Sequence, residues 1–222
     1  MTNPISKKSL LWASGILAIT TLVLSFFINS EPKPEPFLRF KDYKVLAEGG
    51  DTKSQWILGR YFYSGVDVPQ DLALSTYWFR KAAEKNYPDA CYDLGTHYWD
   101  GIGVEKSHVH AAFWLLKAAC IADSYIAGKA QIALGDIYSR GGHGLEKDRL
   151  EAYAWYAIAS RSSDQTVKKS AEDKLISWGK YLVQGDEYPL AHARLENLER
   201  RIDRMKIDDQ LFVRINGENP RK

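Results

Sequence analysis

Two cysteines, five histidines and a large aromatic complement are what this 222-residue chain offers for chemistry. Cys91 and Cys120 are predicted to fall in the first turn of one helix and the last turn of its antiparallel partner. Those two ends of a helical hairpin are neighbours, so a disulfide is chemically reasonable if the chain is exported to an oxidising compartment. Closing that loop would add on the order of 3 kcal/mol. The alternative is a pair of buried thiols. The histidines do not form a metal-binding pattern. His108 and His110 stand two apart and point to different sides, unlike the i, i+4 pairing of helical zinc sites. His143 lies in a glycine loop, and His97 and His192 have no acid or thiol beside them in sequence. All five read as surface or structural residues. No Gly-x-Ser-x-Gly elbow, phosphate-binding loop, Cys-x-x-Cys or His-Glu-x-x-His occurs. The sequence therefore predicts no catalytic residue, no metal, no cofactor and no small-molecule substrate.

The seven Trp and thirteen Tyr point instead toward contact surfaces. Formal net charge is +2, and the two cations ahead of Glu31, Lys7 and Lys8, account for all of it. A neutral body has no general attraction to phosphate backbones, so nucleic acid is not an expected partner.

The elements that position these residues begin with an uncharged run from Leu10 to Ile28. As a helix it would be roughly 28 Å long, enough to cross a bilayer. Lys7 and Lys8 precede it, which places 1–9 in the cytoplasm and everything after 10–28 on the far side. A cleaved signal peptide is the competing reading, but the exit Phe26-Phe27-Ile28-Asn29-Ser30 lacks the small-x-small cleavage pattern. Residues 29–36, with Pro32, Pro34 and Pro36, predict a semi-rigid stalk of roughly 20 Å. This arrangement suits a single-pass bacterial inner-membrane protein with a periplasmic body.

The body is organised by an internal repeat. Leu-Gly recurs at Leu58-Gly59, Leu94-Gly95 and Leu134-Gly135, in steps of 36 and 40 residues. A tryptophan follows each pair, at Trp78, Trp114 and Trp155, and Lys81-Ala82-Ala83 returns as Lys117-Ala118-Ala119. Periods of this length mark stacked supersecondary units. Each copy reads as helix, glycine loop, helix. Ala90, Leu94 and Tyr98 share one face; Gly101-Ile102-Gly103-Val104 breaks the pattern; Ala111, Trp114, Leu115 and Ala118 carry the second helix. Asp71 and Ser107 stand where N-caps belong, and Gly50 and Asn86 at junctions that want a left-handed residue.

Leu-Gly-x-x-Tyr-x-x-Gly-x-Gly-Val followed by Ala-x-x-Trp-x-x-Lys-Ala-Ala resembles the Sel-one-like repeat (SLR) family, relatives of the tetratricopeptide repeats. The likeness runs from about Tyr43 to Ser160 and is strongest in the second copy, Ala90 to Ala119. The first copy has Asp67 for the second loop glycine; the third has an extra loop residue in Gly141-Gly142-His143-Gly144-Leu145. The resemblance implies an all-α solenoid, with first helices lining a concave surface that binds proteins or peptides. Disulfide-rich members pair cysteines at these helix ends with a spacing of one residue fewer, which here falls on Ala119 and leaves the pairing imperfect.

With the core leucine of each first helix taken as zero and about 100° per residue, the positions two before, two after and five after lie opposite the core. These are Trp56, Arg60 and Tyr63; then Tyr92, Thr96 and Trp99; then Ile132, Asp136 and Ser139. They are the expected partner contacts. Packing against the neighbouring hairpin is the alternative, above all for Trp56 and Tyr92.

The expected layout is a cap helix over 37–50, repeats at 51–87, 88–123 and 124–161, capping helices over 162–210 and a loose tail at 211–222. In the last helix Leu195, Leu198, Ile202 and Met205 form an apolar stripe that either closes the array or meets a partner. The sequence thus predicts a non-catalytic module that holds another protein. By analogy with short exported family members, the most specific candidate is an immunity protein against a phospholipase effector of type VI secretion. A scaffold for an envelope complex or signalling pathway is the broader alternative, and a cell-wall hydrolase the remote one.

Overall fold

The computed structural model describes residues 39–121, 125–182 and 187–207. The predicted cytoplasmic segment, membrane span, stalk and tail all lie outside these residues. Among the described residues no helix is long and apolar enough to cross a membrane.

Nine helices make up the described residues, which are all-α apart from an isolated bridge between Gly142 and Leu145. They are α1 (Phe40–Glu48), α2 (Thr52–Ser64), α3 (Leu72–Glu84), α4 (Pro88–Asp100) and α5 (His108–Ile121). Then come α6 (Tyr125–Arg140), α7 (Arg149–Ala159), α8 (Gln165–Leu182) and α9 (Glu187–Ile207). The pairs α2/α3, α4/α5 and α6/α7 are antiparallel hairpins, each packed on the next through the second helix of one and the first helix of the following one.

Local chemistry sets where the helices start. Asp51, Asp71 and Asp148 cap α2, α3 and α7 by accepting from Ser54 N, Leu74 N and Glu151 N at 2.7, 2.9 and 2.9 Å. Ser107 Oγ accepts from His110 N at 3.3 Å at the start of α5. Gly50 and Asn86 take the left-handed conformation expected of them, with φ of 94° and 63°.

The repeat signature is explained by contacts within each hairpin. Leu58, Leu94 and Leu134 are at most 1% exposed, each burial being worth about 2 kcal/mol. The glycine after each leucine lies against the partner helix. A Cβ on Gly59, Gly95 or Gly135 would come within 2.6 Å of Phe79, 2.7 Å of Leu115 or 2.4 Å of Tyr156. Any larger residue there would push the two helices apart.

The loops show why one copy departs from the pattern. Asp67 and Gly103 occupy equivalent positions and both are left-handed, at φ 62° and 65°. A Cβ on Gly103 would meet the Leu72 carbonyl oxygen at 2.1 Å, because this loop lies over the start of the preceding repeat's second helix. Among the described residues only the short helix α1, and no full hairpin, precedes the first repeat. A left-handed aspartate is tolerable there.

The ends of the array are closed by different means. At one end α1 packs on α2, with the Phe40 ring 5.6 Å from Tyr61 and 5.7 Å from Phe62. At the other, α8 crosses α6 and α7, close enough that a Cβ on Gly128 would meet Val167 at 2.5 Å. Helix α9 then runs back along α7 and α5, burying Leu195, Leu198 and Ile202 in the main core. Its arginines clasp α7: Arg194 lies 3.1 Å from Asp148 and 3.7 Å from Glu151, and Arg201 lies 3.5 Å from Glu151.

A candidate protein-binding groove

The first helices α2, α4 and α6 together line two adjoining depressions of about 360 and 400 Å³. The first is bordered by Trp56, Arg60, Tyr63, Tyr92 and Thr96; the second by Tyr92, Thr96, Trp99, Ile132 and Asp136. Eight of the nine residues predicted from helical geometry therefore share one continuous surface. Ser139 lines neither; its hydroxyl donates to the Asp136 carbonyl at 2.7 Å.

These side chains are not equally available. Tyr63 is 46% exposed, and Arg60 is exposed. Trp56, Tyr92 and Trp99 are half-buried and pack against the core, so they present one face and anchor with the other. Trp56 Nε1 donates to Asp93 Oδ2 at 2.7 Å, which fixes the indole across the gap between α2 and α4. Thr96 donates to the Asp93 carbonyl at 2.8 Å. Asp136 is committed internally, accepting from the Tyr156 hydroxyl at 2.6 Å and from Lys174 of α8.

The surface also holds residues that a helical projection does not pick out, among them Asp93, Lys129 and Arg140. Asp93 lies one position before the core leucine, where the first and third repeats have Ile57 and Ala133. Burial raises its pKa above the ordinary carboxylate value with help from Asp89, while the bond from Trp56 and the nearby Arg60 and Lys129 oppose that rise. Lys129 and Arg140 belong to α6 yet lean over aromatic rings of α4. Lys129 Nζ is 4.5 Å from the Tyr92 ring centre, and the Arg140 guanidinium 5.3 Å from that of Trp99. Arg60 makes the same contact with Trp56 at 5.2 Å. Each such pair is worth about 0.5–1 kcal/mol near the surface.

Groups with displaced pKa values often mark catalytic sites, and here each has a structural explanation. His97 forms the floor of the first depression, with its ring 5.1 Å from Phe79 and Nδ1 2.7 Å from Thr76 Oγ1. Burial lowers its pKa to about 4. Glu151, raised by burial, sits under the two arginines of α9. Tyr138 is pushed up to about 12, again by burial. His108 Nδ1 lies 2.8 Å from the Gly141 carbonyl, and His110 stacks on Tyr98 at 5.0 Å. Among the described residues no three metal-ligating side chains converge.

Cys91 of α4 and Cys120 of α5 are both buried, and Cys91 Sγ lies 3.6 Å from the Ala83 carbonyl oxygen.

Comparison with known proteins agrees with this architecture. The Sel1 repeat model matches residues 52–87, 88–122 and 128–164. One similar solved structure is a protective antigen present in uropathogenic Escherichia coli strains and displaying an SLR fold (32% identity, TM-score 0.53). Another is a Sel1 repeat protein from Oxalobacter formigenes (28% identity, TM-score 0.54). Each alignment covers 60% of this chain, and respectively 27% and 53% of the other. No curated protein sequence matches the chain significantly.

Proposed function

The chain belongs to the Sel1 repeat family, and from that premise we propose that it is a non-catalytic module that holds another protein in the groove of α2, α4 and α6. One observation carries the reading. Aromatic side chains of successive repeats form a continuous half-buried surface across the first helices, rigid on one side and accessible on the other. Preformed aromatic and arginine surfaces are the usual anchors of protein interfaces.

Site-specific photocrosslinking in cells making the full-length chain tests it. A photoreactive residue at Tyr63 should capture a discrete protein, whereas one at Tyr77 on α3, 48% exposed, should not. Equal capture from both positions, or none from Tyr63, refutes the groove.

The location proposed is the periplasmic face of the inner membrane, with 10–28 as the anchor. Its support is the uncharged run preceded by Lys7 and Lys8. A C-terminal reporter that works only outside the cytoplasm should be active when fused to the chain; activity solely of a cytoplasmic reporter refutes this. The most specific role proposed is immunity against a secreted phospholipase, supported by analogy alone. The chain should then inhibit the product of an adjacent toxin gene stoichiometrically. Capture of resident envelope proteins in the absence of any toxin would favour a scaffold instead.

A further inference from the structure

We infer that the third repeat's loop, 141–145, is an acid-released latch on the second repeat, caught by His108 and opened by charge on His108 and His143. The inference does not depend on what the groove holds.

The latch closes over the start of α5, where His108 is the first helical residue. His108 N donates to the His143 carbonyl at 3.2 Å, and its ring Nδ1 lies 2.8 Å from the Gly141 carbonyl. The loop runs so close that a Cβ on Gly144 would meet Val109 at 3.2 Å. The junction between the first two repeats has the same build without these imidazoles. Leu72 follows its cap Asp71 as His108 follows Ser107, and the loop over it carries Gly103.

The ring of His108 is held in one protonation state. A carbonyl can only accept, so Nδ1 carries the proton and, in the neutral ring, Nε2 is a lone pair. Nε2 is buried with no hydrogen-bond partner, in a residue only 5% exposed. A second proton would therefore create a buried N–H without an acceptor. The surroundings oppose that proton as well. The His143 ring centre lies 4.8 Å from that of His108, and α4 contributes the uncharged Trp99 at 6.4 Å. The ionisable groups that act on His108 are His143, Lys106 ahead of α5 and Arg140 at the end of α6, all of them bases. Among the described residues no carboxylate lies within ion-pair distance of either histidine.

The sign follows from these contacts. Desolvation first, then the three bases, hold the pKa of His108 below the ordinary value of 6.5, while the bond to Gly141 opposes them. The docked loop thus binds fewer protons than the released one. Docking is complete above 6.5 and weakens as pH falls below it.

Hydrogen exchange of the detergent-solubilised full-length chain, corrected for intrinsic rates, tests the latch. Between about pH 7.5 and about pH 5 the His108 amide and 141–147 should lose protection at least about fivefold, while α2 changes little. His143→Asn removes one charge at an exposed, left-handed position (φ 49°) that asparagine tolerates, and should shrink the loss. His108→Leu installs the residue of the first junction and should abolish the pH dependence, whatever the loop's protection at neutral pH. No loss in the wild type, or an equal loss in wild type and His143→Asn, would overturn the latch. So would equal loosening of α2 and the loop, since the acid effect would then be global.

Discussion

The first two repeats and the third are built on the same frame but use equivalent positions in opposite ways. In α2 and α4 the outward positions hold Trp56, Arg60, Tyr63, Tyr92, Thr96 and Trp99, which face an open groove. In α6 the corresponding positions are Ile132, Asp136 and Ser139, and the groove is bounded there by Ser170 of α8. Asp136 is used to tie α6 to α7 and α8. The difference shows that a helix position fixes direction but not availability. The element that closes a solenoid takes over part of the surface that earlier repeats leave open.

The largest effect should come from removing what closes the array. Leu198→Ala empties a site that is 1% exposed and should cost about 3 kcal/mol, read by urea denaturation of the full chain. A loss below 1 kcal/mol would mean that α9 contributes little to the third repeat.

A comparable effect, confined to the second repeat, should appear on acidification. His97 has a folded pKa of about 4 against the ordinary histidine value of 6.5. The unfolded chain therefore binds the extra proton between those pH values, and stability rises with pH. The contribution is complete above 6.5 and is lost as pH falls toward 4, amounting to on the order of 3 kcal/mol. His97→Ile introduces the residue type found at the equivalent third-repeat position, Ile137. Its stability should fall less than that of the wild type between pH 7 and pH 4.5; parallel losses would exclude His97 as the source.

Asp136→Ala tests the third repeat's commitment directly. Leaving the Tyr156 hydroxyl and Lys174 without their acceptor should cost about 2 kcal/mol, with affinity for a groove-bound peptide preserved. Tyr63→Ala should do the reverse, changing stability by less than about 0.5 kcal/mol while weakening the peptide about tenfold or more. If the two variants behave alike, the division between open and committed repeats fails.

Much of this was legible in the sequence because repetition averages out accident. Three copies of Leu-Gly, each needed to seat a partner helix, identify the hairpins, and the caps Asp71 and Ser107 and the left-handed Gly50 and Asn86 mark their ends. The groove residues followed from direction on a single helix. What escaped analysis was whatever depends on two helices at once. Lys129 and Arg140 belong to one repeat and act on the rings of another, so no projection of α4 alone could find them. The commitment of Asp136 was hidden in the same way, since its partners come from α7 and α8.

The loop pair Asp67 and Gly103 limits how such a chain can grow. Inserting another hairpin ahead of Thr52 would lay the start of a new second helix beneath Asp67, where a Cβ would then strike a backbone carbonyl as it would at Gly103. Duplication at this end is therefore coupled to one substitution, Asp67→Gly, whereas duplication between Gly103 and the third repeat carries no such requirement. An engineer lengthening the array at this end should therefore place a glycine at position 67.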